Sequence, residues 1–174
     1  QKKLIKNICK GENIDAKKIS PQFIIALIDR WKNKGFLPDE VRLTKKNIFE
    51  NQILKVYKIY QNKIKDLNAC DFGDLILYCV KLFEKNSDIR NIYSNNFKYI
   101  LVDEYQDTNF IQNKWLNLIV NKNKNICCVG DDDQSIYSWR GAEIKNFLQF
   151  DKVYPDCKIF RLEQNYRSTK NILD

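Results

Sequence analysis

The sequence predicts an α/β fold in which an all-helical part, residues 1–70, is followed by a parallel sheet with flanking helices in residues 71–174. Apolar residues recur at helical spacing in the first part, whereas beyond residue 96 short apolar runs alternate with helical patterns. The order strand, helix, strand, helix, strand favours parallel strands, because parallel neighbours need a crossover connection that is usually a helix. At 174 residues and 44% hydrophobic content, the chain can bury a core.

Two amphipathic helices are predicted in the first part. Ser20 and Pro21 are typical of a cap and a first helical position, and the apolar pattern that follows ends before Gly35. A longer helix is predicted over about residues 44–65, with lysines on the faces away from its apolar stripe. The two stripes consist of Phe23, Ile24, Leu27, Ile28 and Trp31, and of Phe49, Ile53, Val56, Tyr57, Tyr60 and Ile64.

Three more helices are predicted in the second part. The first begins after Asp71, whose side chain can cap it, and Asp74 supports its first turn. Its apolar pattern consists of Phe72, Leu75, Ile76, Cys79, Val80 and Phe83. The other two lie between predicted strands: one is entered through Thr108 and Asn109, and the other carries Ile144, Phe147 and Leu148.

Three short apolar runs are predicted as strands, namely residues 99–102, 126–129 and 159–162. None of them shows the polar alternation of a half-exposed strand. Because strands inside a parallel sheet are covered on both faces, we expect both faces of these strands to be buried.

All three predicted strands run into residues that carry carboxylates, amides or a cation. These segments read DEYQD at 103–107, GDDDQ at 130–134 and EQNYR at 163–167. Ligands of parallel sheets bind at the carboxyl ends of the strands. A single acid at a strand end is most often a loop or cap residue, but polar residues at three strand ends indicate one shared ligand crevice. Asp103 and Glu104 are adjacent carboxylates that repel each other, and we expect them to face a metal ion or a proton in transfer.

The charge of the chain is concentrated in the helical part. Thirty Lys and Arg against 22 Asp and Glu give a net charge of +8 and a pI near 9.1, which favours polyanionic partners. Residues 1–70 carry 16 basic and 7 acidic side chains, and the remainder carries 14 and 15. The excess of lysines is either a nucleic-acid surface or a set of solvated helix faces.

The sequence indicates no membrane partner and no zinc site. No apolar run approaches the roughly 18 to 20 residues of a membrane helix, and no signal-peptide pattern opens the chain. The six cysteines lack CxxC spacing and the chain has no histidine, so we expect reduced, mostly buried thiols in an intracellular protein. Because the chain contains no Met, we expect it to begin downstream of the translational start, with any targeting segment outside it.

Three long motifs carry a family resemblance. VDEYQDTN at 102–109, VGDDDQSIYSWRGA at 129–142 and LEQNYRS at 162–168 resemble, in order and spacing, motifs of the superfamily 1 DNA helicases of the UvrD/Rep/PcrA group. DFGDL at 71–75 resembles the DFDDL element of that family, with Gly73 in place of an acid. The resemblance implies that residues 1–70 are a helical subdomain like the insert called 1B, and that residues 71–174 are the C-terminal part of the RecA-like motor domain 1A.

The resemblance also implies a function. In this family ATP hydrolysis drives 3′ to 5′ movement along single-stranded DNA and unwinding of duplex DNA, as in DNA repair or replication. The implied cofactors are ATP and Mg²⁺, and the implied partners are single-stranded and duplex DNA and the remaining helicase domains of the same chain. The implied compartment is the cytoplasm, the nucleus or a DNA-containing organelle.

The motifs carry over to individual nucleotide-site residues. Asp103 is similar to the aspartate associated with Mg²⁺, and Glu104 to the carboxylate beside that ion which orients or deprotonates the attacking water. Gln134 matches the glutamine that senses the γ-phosphate. Tyr166 resembles the tyrosine that stacks on adenine, and Arg167 the arginine that reaches the γ-phosphate.

A second group of residues matches the DNA site of the family. Tyr137, Trp139 and Arg140 place two aromatic rings and a cation within four residues. The tryptophan of the family stacks on a base, and the arginine lies near both the DNA and the catalytic acids. The polar surroundings of Trp139 in the sequence favour this role over a place in the core.

The 174 residues contain no GxxxxGK[ST] phosphate-binding loop, so the resemblance implies a helicase fragment that is inactive in isolation. Two other classes remain open. The chain can be a nucleic-acid-binding module without catalysis, which a complete gene lacking that loop would support. It can also be part of a helicase-nuclease, which a nuclease domain beyond Asp174 would reveal.

Overall fold

The computed structural model describes residues 1–15, 18–43 and 48–173, and consists of helices followed by a mixed α/β part. The first five helices are α1 (Lys2–Gly11), α2 (Pro21–Asn33), α3 (Ile48–Asp66), α4 (Phe72–Lys85) and α5 (Ser87–Asn96). The mixed part contains β1 (Ile100–Val102), α6 (Phe110–Ile119), β2 (Ile126–Cys128), α7 (Lys145–Leu148), α8 (Phe150–Val153) and α9 (Lys170–Leu173). Short 3₁₀ turns span Tyr105–Asp107, Asp132–Gln134 and Ser138–Arg140.

The helix starts predicted from capping residues are confirmed. The Ser20 hydroxyl accepts a hydrogen bond from the backbone N–H of Phe23 at 3.2 Å, and Pro21 is the first residue of α2. Asp71 and Asp74 form a reciprocal capping box at the start of α4. The predicted helix over residues 44–65 is α3, and residues 44–47 lie outside the described residues.

Helices α1, α2 and α3 pack around one core. Its buried members are Ile5, Ile8, Cys9, Ile19, Ile24, Ile28, Trp31, Ile53, Val56, Tyr57, Tyr60 and Ile64. Phe23 and Phe49 belong to the predicted stripes but are exposed. In α4 the predicted stripe is partly wrong: Leu77, Val80 and Phe83 are buried, whereas Phe72, Leu75 and Cys79 are exposed.

A buried lysine joins this core to α4. Lys32 is fully buried, and its Nζ lies 2.6 Å from Asp71 Oδ2 and 2.8 Å from Asp74 Oδ1. Tyr60 also donates to Asp71 Oδ2 at 2.8 Å. A Cβ atom at Gly73 would lie 2.9 Å from Lys32 Cδ, so the aliphatic stem of Lys32 occupies the space that an acid at this position would need.

The sheet has two parallel strands, with Ile100 beside Ile126 and Val102 beside Cys128. Ile100, Val102 and Cys128 pack against a second core whose buried members are Phe83, Tyr105, Leu116 and Ile119. The expectation that both faces are buried is wrong: Leu101 is 82% exposed and Cys127 is also exposed. The described helices that contact the strands do so through the Ile100 and Val102 face, and this leaves the other face open.

The third predicted strand does not form. Residues 159–162 have no regular secondary structure, and Leu162 is 92% exposed. A strand exists only when its backbone pairs with a neighbour, and the described residues offer this segment no such neighbour. The fold observed is therefore α/β with a two-stranded parallel sheet.

The cysteines are less buried than the sequence suggests. All six are free thiols, and only Cys9 is fully buried, whereas Cys70, Cys79 and Cys127 are exposed. Burial raises the pKa of the Cys128 thiol to about 12. None of the helices within the described ranges is both long and apolar enough to cross a membrane.

Candidate functional site

Two of the three predicted polar strand ends lie side by side. The backbone N–H of Val129 donates to the carbonyl of Val102 at 2.8 Å, and that of Tyr105 donates to the carbonyl of Val129 at 2.9 Å. Between these contacts, Glu104 adopts a left-handed conformation with φ 49° and ψ 45°. This conformation is uncommon for a residue with a side chain and is concentrated at functional sites.

The two adjacent carboxylates are exposed, and one oxygen of each accepts a hydrogen bond. Asp103 Oδ1 accepts from the backbone N–H of Glu104 at 3.0 Å, and Glu104 Oε2 accepts from Gln106 Nε2 at 2.7 Å. The second oxygen of each carboxylate has no partner among the described residues. Mg²⁺ uses one or two protein carboxylates together with waters and substrate phosphates, so this donor set fits the ion. No group of three or more metal-binding side chains occurs in the described part of the chain.

Gln106 connects the two strand ends and was not among the predicted site residues. Its side chain is 1% exposed. Its amide N–H donates to Glu104, while its carbonyl Oε1 accepts the backbone N–H of Asp131 at 3.1 Å. The sequence places Gln106 inside the first motif, but only the paired strands reveal that its amide reaches the second motif.

Asp131 passes this connection on to Gln134. Its Oδ2 accepts from Gln134 Nε2 at 2.6 Å, and its Oδ1 accepts from the backbone N–H of Asp133 at 3.0 Å. The structure therefore brings Glu104 and Gln134 into one hydrogen-bonded chain through Gln106 and Asp131.

The predicted DNA-site residues form an exposed platform. The guanidinium carbon of Arg140 lies 5.1 Å from the ring centroid of Tyr137 and 4.6 Å from that of Trp139. Trp139 is 73% exposed, so one face of the indole is available for stacking. Gly141, at φ 89°, ends this turn in a conformation that favours glycine.

The segment after the platform is hydrogen-bonded to the turn that follows the first strand end. The backbone N–H of Glu143 donates to the carbonyl of Thr108 at 2.9 Å, and Asn146 Nδ2 donates to the same carbonyl at 3.1 Å. The Asn146 Oδ1 in turn accepts from Asn113 on α6 at 3.0 Å. The segment that follows the platform is thus anchored to the turn that follows Glu104.

Tyr166 and Arg167 are not brought to this site. Tyr166 is exposed, and among the described residues the only hydrogen bond of Arg167 is from its backbone N–H to Asn165 Oδ1, at 2.9 Å. Within the described ranges, no hydrogen bond, ion pair or ring contact joins either side chain to Asp103 or Glu104. The reason is the same as for the missing strand, since no strand in the described part of the chain pairs with the segment that carries both residues.

The sequence is similar to those of known proteins. The chain is 49% identical over 174 residues to the probable DNA helicase II homolog of Rickettsia conorii, covering 99% of this chain and 27% of that protein. It is 47% identical to the ATP-dependent DNA helicase PcrA of Staphylococcus epidermidis, covering 100% of this chain and 24% of that protein. The chain thus spans about a quarter of the length of these curated relatives. The family model that describes the UvrD/REP helicase N-terminal domain matches residues 1–155, and the chain belongs to this family.

Proposed function

We propose that this chain is part of an ATP-dependent DNA helicase that moves 3′ to 5′ along single-stranded DNA and unwinds duplex DNA. One observation carries the proposal: two exposed carboxylates, each with an oxygen that has no partner among the described residues, follow a strand end to which the segment after an aromatic platform is hydrogen-bonded. The names of the relatives, among them ATP-dependent DNA helicase PcrA, support it.

The strand-end residues are proposed to serve ATP hydrolysis. Asp103 would hold Mg²⁺ with Glu104 beside it, and the ion would supply positive charge that offsets the charge developing on the phosphates. Glu104 orients or deprotonates the attacking water, because its carboxylate is exposed and one oxygen is held by Gln106. Gln134 is exposed and contacts the γ-phosphate.

The aromatic platform is proposed to bind single-stranded DNA. Stacking of a base on an aromatic side chain is worth about 1–3 kcal/mol and does not depend on the base, which suits a protein that moves along any sequence. Trp139 offers the exposed face, and Arg140 adds a cation near the phosphate backbone.

Residues 1–70 are proposed to be a 1B-like helical subdomain, and residues 71–174 the C-terminal part of a RecA-like motor domain. The first core supports this division, since its buried members lie between residues 5 and 64. The remaining helicase domains of the same protein would supply the phosphate cradle and hold Tyr166 and Arg167 against the nucleotide.

We expect a full-length protein that carries this chain to hydrolyse ATP in a DNA-stimulated reaction, with Glu104→Gln lowering turnover at least about 10²-fold through loss of its general base. The 174-residue chain alone is expected to give no turnover, because ligands for magnesium and water without a phosphate cradle cannot position the γ-phosphate. Phosphate release measures ATP hydrolysis by the full-length protein and by the 174-residue chain, and strand separation on a tailed duplex measures unwinding. DNA binding without hydrolysis by the full-length protein would favour a binding module instead.

The excess of lysines in residues 1–70 is expected to give weak, sequence-independent binding of nucleic acid, with an affinity that falls steeply as the salt concentration rises. Lys63 and Lys65 are exposed in the last turn of α3 and are the residues to change. Replacing both by alanine should reduce the logarithmic salt slope by about 1 to 2, as each lost phosphate contact removes about one unit. Fluorescence anisotropy with a labelled single strand measures the slope.

The matched control changes two exposed lysines outside this region, Lys85 and Lys122, to alanine. This variant has the same net charge as the test variant. Equal slopes for the two variants would mean that the lysines of α3 are only a solvated face.

A further inference from the structure

We infer that Gln106 is a positioning residue that orients the Glu104 carboxylate and transmits the position of Gln134 to it through Asp131. The inference rests on the proposed function, since Glu104 and Gln134 are the groups on which Gln106 acts. It adds Gln106 to the proposed nucleotide site, on the basis of hydrogen bonds that join the two strand ends.

The two ends of the Gln106 amide are chemically distinct, and their environment determines the orientation of the group. Its N–H donates to Glu104 Oε2 at 2.7 Å, and its Oε1 accepts the Asp131 backbone N–H at 3.1 Å. A flipped amide would set oxygen against a carboxylate and N–H against N–H. With the side chain 1% exposed, water does not offer an alternative partner, so both bonds depend on this orientation.

Gly130 provides independent evidence for this contact. A Cβ atom at this position would lie 2.5 Å from Gln106 Oε1 and 3.0 Å from a ring carbon of Phe147. The absence of a side chain at Gly130 is therefore what lets the Gln106 amide reach the backbone after β2. Gln106 and Gly130 form one packed unit that spans the two strand ends.

Asp131 makes the connection continuous. Its backbone N–H bonds to Gln106 and its carboxylate bonds to Gln134, so a displacement of Gln134 acts on the residue that holds the Gln106 amide. Glu104 is exposed, and the hydrogen bond from Gln106 is the only one that its carboxylate makes within the described ranges. Loss of Gln106 should leave this carboxylate free to rotate away from the attacking water, which lowers turnover without weakening nucleotide binding.

The test is Gln106→Met in a full-length protein that carries this chain, because methionine keeps the volume and removes both hydrogen bonds. Turnover at saturating ATP and DNA is expected to fall about 10- to 100-fold, with KM for ATP changed by less than about 2-fold. Hydrogen exchange of the Asp131 amide, measured in the peptide covering residues 129–134, should become faster because its acceptor is gone. Gln106→Met combined with Gln134→Met should lower turnover by less than the product of the two single losses.

Gln61→Met is the matched control. Gln61 is also buried, and its amide donates to Asp74 at 2.8 Å and to Tyr78 at 2.6 Å, remote in sequence from the strand ends. Gln106→Met and Gln61→Met should each unfold at a lower temperature than the unmodified protein. Only Gln61→Met should keep the turnover of the unmodified protein. Should Gln106→Met fail to fold, Gly130→Ala, which displaces the Gln106 amide from the other side, is expected to show the same loss of turnover.

Three outcomes would overturn the inference: turnover within 2-fold of the unmodified protein, losses that multiply with Gln134→Met, or an equal loss of turnover in Gln61→Met. These results are distinct from failure of the proposed function. If the unmodified protein shows no DNA-stimulated hydrolysis, the proposed function fails. If it hydrolyses ATP and Gln106→Met does so equally well, only the role of Gln106 is wrong.

Discussion

Arg167→Ala in a full-length protein that carries this chain is expected to lower ATP turnover by about 10³ to 10⁵, with nucleotide affinity comparatively intact. The variant removes the cation that is proposed to counter the charge developing on the γ-phosphoryl group in the transition state. Arg167→Lys should not restore turnover, because one ammonium group does not reproduce the planar fork that fits phosphate oxygens. DNA-stimulated ATPase kinetics measure both variants.

Tyr166→Ala is the matched comparison for Arg167→Ala. Tyr166 is proposed to stack on the adenine and Arg167 to reach the phosphates, so loss of the two side chains should have different effects. Stacking contributes similarly to the ground and transition states, and Tyr166→Ala should therefore raise KM for ATP and lower turnover less. Near-normal turnover in Arg167→Ala would refute the role proposed for Arg167.

Lys32→Met is expected to destabilise the fold by about 3–5 kcal/mol, because it leaves buried carboxylates without a counter-charge. Lys32 Nζ lies within 2.8 Å of both Asp71 and Asp74, and its side chain is fully buried. Its ammonium also lies 5.3 Å from the ring centroid of Tyr60. Chemical denaturation of the 174-residue chain, followed by circular dichroism, measures the loss.

The matched control is Lys34→Met, which removes an exposed lysine two positions away. Surface substitutions of this kind change stability by about 0.5 kcal/mol or less. Combining Lys32→Met with Asp71→Asn and Asp74→Asn should recover part of the loss, because the unpaired charges are then removed. Equal stability of the two lysine variants would show that the buried ion pairs contribute nothing to the fold.

The pH dependence of stability provides a second measurement of this network. Burial raises the pKa of the Asp71 carboxyl, but the hydrogen bond and charge of Lys32, with hydrogen bonds from the Asp74 backbone and Tyr60, outweigh this effect and hold the pKa below its ordinary value of 3.8. Because the folded-state pKa is depressed, this contribution is fully present above the ordinary value and is lost as the pH falls through the lowered pKa. Lys32→Met should remove this contribution, so that its stability falls less steeply below pH 3.8.

The sequence by itself determined the features whose hydrogen bonds close within a few residues. The caps at Ser20, Asp71 and Asn109 are examples, since each accepts from a backbone N–H three positions on. The runs that became β1 and β2 were also correctly predicted, because their apolar residues stand out from the polar residues beside them.

The tertiary structure decided what depends on partners distant in sequence. Residues 159–162 are mostly apolar, as β1 and β2 are, but no strand lies beside them in the described part of the chain, so composition alone predicted a strand that does not form. The buried face of α4 was likewise set by its neighbours, since apolar residues lie on more than one side of that helix. The role of Gln106 emerged only when strand pairing brought its amide to Asp131, because a hydrogen bond between residues 25 positions apart leaves no periodic trace in the sequence.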